Sequence, residues 1–153
     1  MSYESLLKNA VGKEGWSRDR HSILAILEKS SLKTITYAPT WEGEDEANNY
    51  TSMDCYGTAI IDAALQQKNC RVIYKPHPRI LDSKDPLINS AHKYIVQKLS
   101  RGEHEVHLTG DVLSVLKDTD LLISDISSVT LDYLYLRPSG AIFLTDRRSN
   151  REL

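Results

Sequence analysis

The sequence has no long apolar run and no excess of charge of one sign. No run approaches the roughly 20 apolar residues that a helix needs to cross a bilayer, and no secretion signal is visible. The net charge is −2, and the lysines and arginines are scattered along the chain, which argues against a nucleic-acid partner. We therefore expect a protein that is neither secreted nor membrane-spanning and that binds no nucleic acid.

Cysteine is scarce as well. The two residues, Cys55 and Cys70, lack the spacing of a metal site, and we expect reduced thiols in a cytoplasmic protein. Aspartate, glutamate and histidine do not converge in the sequence either, so we expect no protein-bound metal and no cofactor. What is present is the length and composition of an ordinary soluble domain, with 153 residues, 41% of them hydrophobic.

Strand and helix patterns alternate along the chain. The strands are predicted at 34–38, 70–74, 105–108, 120–124 and 140–144, and the helices at 53–68, 86–100, 111–117 and 128–136. This alternation is typical of βαβ units and predicts an α/β fold, a Rossmann-like parallel sheet with helices on both faces. We assign this domain to residues 32–153, after an N-terminal helical segment or linker at 1–31 whose strongest helical pattern lies at about 18–30.

Polar segments follow three of the predicted strands. They are PTW (39–41), KPHPR (75–79) and SDISS (124–128). In parallel sheets, ligands bind beyond the carboxyl ends of the strands, and a parallel arrangement brings these three segments to one edge. The sequence therefore predicts a ligand site built from them.

The KPHPR segment holds a histidine between two prolines. Pro76 and Pro78 restrict the backbone on either side of His77, and Lys75 and Arg79 lie close by in sequence. A stiffly held histidine between two cations suits a site that receives negative charge. The alternative interpretation is a surface turn that happens to contain a histidine.

The SDISS segment precedes a predicted helix. If Ser127 caps this helix, its side chain accepts a backbone N–H, and the remaining free N–H groups of the first turn favour an anion. Ser128 and Asp132 are four residues apart and share a helix face, so a phosphate at Ser128 would leave Asp132 to accept hydrogen bonds from the hydroxyls of a sugar. The alternative is a plain cap followed by an exposed aspartate.

The PTW segment gives a weaker signal. Thr40 and Trp41 follow a proline that ends the first strand, and they could present a hydroxyl and backbone amides to a phosphate. Tryptophan at such a position is more often a packing residue.

Three segments together resemble the signature of the CDP-glycerol glycerophosphotransferase family, the teichoic-acid polymerases and primases. They are YAPTW (37–41), YKPHP (74–78) and DLLISDISSVTLDYLYLRP (120–138). The resemblance implies the carboxyl-terminal, nucleotide-binding half of a GT-B fold. Two positions differ from the family pattern: Ile126 replaces a typical aromatic residue, and Glu42 follows the tryptophan where arginine is frequent. The second difference bears on the identity of the donor.

The resemblance also implies a reaction, in which a hydroxyl of a polyol-phosphate acceptor attacks the distal phosphorus of CDP-glycerol and CMP leaves. His77 would be the catalytic residue, stabilising charge on the pyrophosphate. The remaining residues would bind the donor, namely Thr40, Lys75, Arg79, Ser127, Ser128 and Asp132.

A GT-B enzyme has its active site between two domains, so we expect a larger enzyme whose N-terminal, acceptor-binding and membrane-binding half is missing from this chain. The chain alone would be inactive, and the whole protein would be cytoplasmic and peripheral at the inner face of the cell membrane. The alternatives are a GT-B glycosyltransferase or epimerase that uses a UDP-sugar, a non-catalytic nucleotide-binding module, and a flavodoxin-like signalling domain phosphorylated on Asp125.

Overall fold

The computed structural model describes residues 32–147, so the helical pattern predicted at about 18–30 lies outside the described residues. Five strands form one sheet: β1 (Lys33–Ala38), β2 (Cys70–Tyr74), β3 (Glu105–Val106), β4 (Leu121–Ser124) and β5 (Ala141–Leu144). Their order in the sheet is β3-β2-β1-β4-β5, and every neighbouring pair is parallel. The strand order reverses between β1 and β4, which is the switch point where doubly wound folds bind ligands.

Four α-helices and two 3₁₀ turns connect the strands. They are α1 (Met53–Leu65), α2 (Pro86–Leu99), α3 (Val112–Leu116) and α4 (Val129–Leu136), with 3₁₀ turns at Glu46–Asn48 and Pro78–Asp82 that were not predicted. Helix α1 ends three residues before its predicted end, because the chain turns through Asn69, with φ of 56°, to enter β2. Within residues 32–147, no helix is both long enough and apolar enough to cross a membrane.

Helix α2 shows how local sequence sets these elements. Asp85 accepts the backbone N–H of Leu87 at 2.8 Å, and Pro86 occupies the first turn, where its missing N–H costs nothing. Its buried positions recur every three or four residues, so one stripe of the helix faces the sheet. These positions are Ile88, Ala91, Ile95 and Leu99.

Both faces of the sheet carry helices, as the alternation of side chains along β1 shows. Ile35 and Tyr37 point into the larger apolar cluster, which includes residues of α1 and α2. Ala38 points into a smaller cluster on the other face, with Leu116 of α3 and Tyr133 of α4. The predicted α/β fold, a parallel sheet with helices on both faces, is therefore confirmed.

Candidate functional site

A pocket of about 280 Å³ opens at the carboxyl ends of β1, β2 and β4, beside the switch point. Five of the residues predicted from the sequence line it, and they come from two segments far apart in the chain: Lys75, His77, Ser127, Ser128 and Asp132. The loop between β3 and α3 also lines it, through Gly110–Val112, which was not predicted. Nothing in the composition of that loop marks it as a binding segment, and its position beside the pocket follows from the strand order.

His77 is held at its backbone and at one ring nitrogen. Its N–H donates to the carbonyl of Pro39 at 3.0 Å, which ties the exit of β2 to the exit of β1. Its Nδ1 accepts the backbone N–H of Arg79 at 3.2 Å, so the neutral ring carries its proton on Nε2. Burial lowers the pKa of His77, and the nearby charges of Arg79 and Lys75 lower it further. The ring therefore favours the neutral form, with Nε2–H as a hydrogen-bond donor.

Lys75 supplies an ammonium group inside the pocket wall. The residue is only 5% exposed, and its Nζ donates to the carbonyl of Thr109 at 3.4 Å. Burial lowers the pKa of Lys75, while the carboxylate of Asp111 acts in the opposite direction. An ammonium has three donors, and a single contact to a neutral carbonyl leaves it able to bind an anion.

The N-terminus of α4 forms the opposite wall. Ser127 Oγ accepts the backbone N–H of Val129 at 3.3 Å, so it takes a donor of the first turn as predicted, although it lies one residue before the N-cap position. Ser128 occupies the N-cap position itself, and its hydroxyl makes no capping hydrogen bond. The N–H of Asp132 donates to the carbonyl of Ser128 at 3.2 Å, so the two residues lie one turn apart on the same face of α4.

The N-terminus of α1, by contrast, is already occupied by an internal carboxylate. Asp125 is fully buried and accepts three hydrogen bonds, from Thr40 N at 2.8 Å, Ser52 N at 2.9 Å and Ser52 Oγ at 2.8 Å. Burial raises the pKa of Asp125, and these hydrogen bonds oppose the increase. A buried carboxylate with both oxygens hydrogen-bonded is not accessible for phosphorylation, which argues against the signalling-domain alternative.

Two predicted donor-binding residues lie outside the pocket. The backbone N–H of Thr40 is taken by Asp125, and Thr40 lines a separate cavity of about 320 Å³ beside Trp41. Arg79 is exposed, with its guanidinium carbon 4.4 Å from the centroid of the Trp41 ring and Nη1 4.0 Å from Glu44. Thr40 and Arg79 therefore do not line this pocket with the other five residues, although the backbone of Arg79 contacts His77.

Glu42, which differs from the family pattern, is engaged within the chain. Its carboxylate accepts a hydrogen bond from the hydroxyl of Ser83 at the end of the second 3₁₀ turn. This contact links the loop after β1 to the loop after β2. Across the described range, no group of three histidine, cysteine, aspartate or glutamate side chains could hold a metal ion.

The fold and the pocket define a Rossmann-like α/β domain with a polar site at its switch point. The pattern of the CDP-glycerol:poly(glycerophosphate) glycerophosphotransferase family matches residues 7–148, and the chain belongs to this family. A variant of the wall teichoic acid polymerase TagF is a similar solved structure, 22% identical, with a TM-score of 0.37; the match covers 78% of this chain and 28% of that chain. No curated protein matches. The chain thus spans little more than a quarter of the length of TagF.

Proposed function

We propose that this chain is the donor-binding domain of a glycerophosphotransferase that makes teichoic acid or a related cell-surface polymer. The enzyme transfers glycerol phosphate from CDP-glycerol to a hydroxyl of a polyol-phosphate acceptor and releases CMP. One observation carries the proposal: in a chain of this family, Lys75, His77, Ser127, Ser128 and Asp132 converge on one pocket at the switch point.

The reaction needs a site that stabilises negative charge on the pyrophosphate. The acceptor oxygen forms a bond to the distal phosphorus while the bond from that phosphorus to the oxygen of CMP breaks. The N-terminus of α4 and the Ser128 hydroxyl receive the phosphates from one side, and the Lys75 ammonium receives them from the other. His77 donates Nε2–H to a phosphate oxygen and stabilises the charge that grows on the leaving CMP.

The remaining assignments follow the same geometry. Asp132, one turn along α4 from Ser128, accepts hydrogen bonds from the ribose hydroxyls, and Ser127 shapes the start of the helix through its cap. Thr40 and Arg79 stay predicted donor contacts, which a ligand would reach only by extending past this pocket. The site as proposed uses no metal and no cofactor.

The proposal extends to the whole protein. A second, acceptor-binding domain completes a GT-B enzyme, and the chain studied alone binds the donor without transferring it. The whole enzyme is cytoplasmic and works at the inner face of the cell membrane. Family membership supports this organisation.

The test is calorimetric titration of the 153-residue chain with CDP-glycerol, CMP and UMP. We expect the cytidine ligands to bind. Ser128→Ala should raise the dissociation constant of CDP-glycerol by about 10-fold or more, because it removes a hydrogen bond to a charged group. Asp118→Ala, a change at an exposed aspartate just after the C-terminal end of α3, should leave binding unchanged. Binding of UMP as tight as CMP would favour a UDP-sugar enzyme, and no binding of any nucleotide would contradict the proposal.

A further inference from the structure

The imidazole of His77 lies against the indole of Trp41. Their ring centroids are 6.3 Å apart and the ring planes are inclined by 27°. Trp41 itself is not among the residues that line the pocket of His77; it faces the neighbouring cavity with Thr40. The indole therefore supports the histidine from outside the donor pocket.

Hydrogen bonds fix the backbone next to Trp41 at the end of β1. Thr40, the residue before Trp41, has its N–H fixed by the buried carboxylate of Asp125 and its carbonyl hydrogen-bonded by the hydroxyl of Thr51 at 2.7 Å. Arg79 covers the indole at 4.4 Å, and its own backbone N–H binds Nδ1 of His77 at 3.2 Å. Trp41, Arg79 and His77 thus contact one another, and the group is attached to the ends of β1 and β2.

We propose that Trp41 is a positioning residue that fixes the orientation of the His77 imidazole, and that Arg79 acts through it. A histidine side chain has two rotatable bonds, and the prolines on either side restrict only its backbone. The hydrogen bond from Arg79 N–H determines which nitrogen carries the proton. The indole limits rotation of the ring, so that Nε2–H keeps one direction at the pocket wall. A shift of about 1 Å in such a group is enough to cost about 100-fold in rate in an enzyme.

This role of Arg79 is additional to the donor contact predicted from the sequence. Its guanidinium interacts with an aromatic face and with Glu44, and its position there stabilises the ring that supports His77. The positive charge also lowers the pKa of His77, and the charge of Lys75 acts in the same direction. Burial of the ring is the larger cause of that lowered pKa, so the packing of Arg79 on Trp41 positions the imidazole and adds to its preference for the neutral form.

This inference rests on the proposed function, since His77 must meet the donor for its direction to matter. The test uses ¹⁵N-labelled 153-residue chain and records the ring nitrogens of His77, assigned by their disappearance in His77→Gln. In the wild type and in Trp41→Phe, which keeps an aromatic ring, we expect one tautomer with the proton on Nε2. In Trp41→Leu we expect a mixture of tautomers and a dissociation constant for CDP-glycerol raised about 3- to 10-fold, the value of an aromatic contact.

The outcomes separate the two proposals. Wild-type tautomer and wild-type affinity in Trp41→Leu would overturn the positioning role while leaving the proposed function intact. Unchanged CDP-glycerol affinity in His77→Gln would remove His77 from the donor site, and the tautomer signals would still test the positioning. If Trp41→Leu does not fold, as judged by circular dichroism, the wild-type spectrum decides, because a mixture of tautomers there overturns the inference.

Discussion

Asp125 links three parts of the domain through one buried carboxylate. It follows β4 directly, and its oxygens bind the N–H of Thr40 after β1 and both the N–H and the hydroxyl of Ser52 before α1. The hydroxyl of Tyr37 extends the network, at 2.8 Å from Ser52 Oγ. Replacing Asp125 with alanine removes all three hydrogen bonds to the carboxylate at once.

The expected loss of stability can be worked out from these contacts. Each hydrogen bond to a charged group contributes about 1.5–3 kcal/mol, so three of them set an upper range of about 5–9 kcal/mol. Burial of the carboxylate opposes this, as its raised pKa shows, and the alanine variant no longer bears that cost. We therefore expect Asp125→Ala to lower the free energy of unfolding by about 3–4 kcal/mol, most of it from the buried N–H of Ser52 left without an acceptor.

Urea unfolding followed by circular dichroism measures this change. With a slope of about 2 kcal/mol per molar urea, the midpoint should fall by about 1.5–2 M. Asp118→Ala removes an exposed aspartate and should shift the free energy of unfolding by less than about 0.5 kcal/mol. If the two variants unfold at the same urea concentration, the carboxylate of Asp125 is not the link described, and the reasoning fails.

Two further predictions concern other parts of the molecule. Folding lowers the pKa of His77, so the stability that depends on its neutral ring is fully present above the pKa of the unfolded chain, about 6.5. That stability is lost as the pH falls through the pKa of the folded protein. The free energy of unfolding of the wild type should therefore decline relative to His77→Gln between pH 7.5 and 5, and a constant difference would contradict the pKa shift. A methyl group at Gly140 would collide with the hydroxyl and ring of Tyr133, whose hydroxyl donates to Thr119 O at 2.9 Å. Gly140→Ala should thus cost about 1–3 kcal/mol by overpacking, whereas exposed Ser139→Ala should cost little, and equal thermal midpoints for the two would refute the collision.

The sequence predicted the fold well because the alternation of apolar strands and amphipathic helices is a local signal. The boundaries that differed are at chain turns, such as the early end of α1 before Asn69. The convergence of KPHPR with SDISS could be predicted because parallel strands align their carboxyl ends, and five of the seven residues in the predicted set line one pocket. What remained hidden depends on long-range partners: no local signal says that Asp125 binds Thr40 and Ser52, or that Arg79 packs on Trp41.

The buried carboxylate of Asp125 makes the two helix N-termini at the switch point electrostatically different. Helices α1 and α4 both begin at this edge of the sheet, and both present the positive end of a helix dipole. The carboxylate of Asp125 neutralises the N-terminus of α1. The N-terminus of α4 instead borders the pocket, and the hydroxyl of Ser128 makes no capping hydrogen bond there. An anionic group that enters the pocket therefore meets the N-terminus of α4 at Ser128, whereas the N-terminus of α1 is already paired with the carboxylate of Asp125.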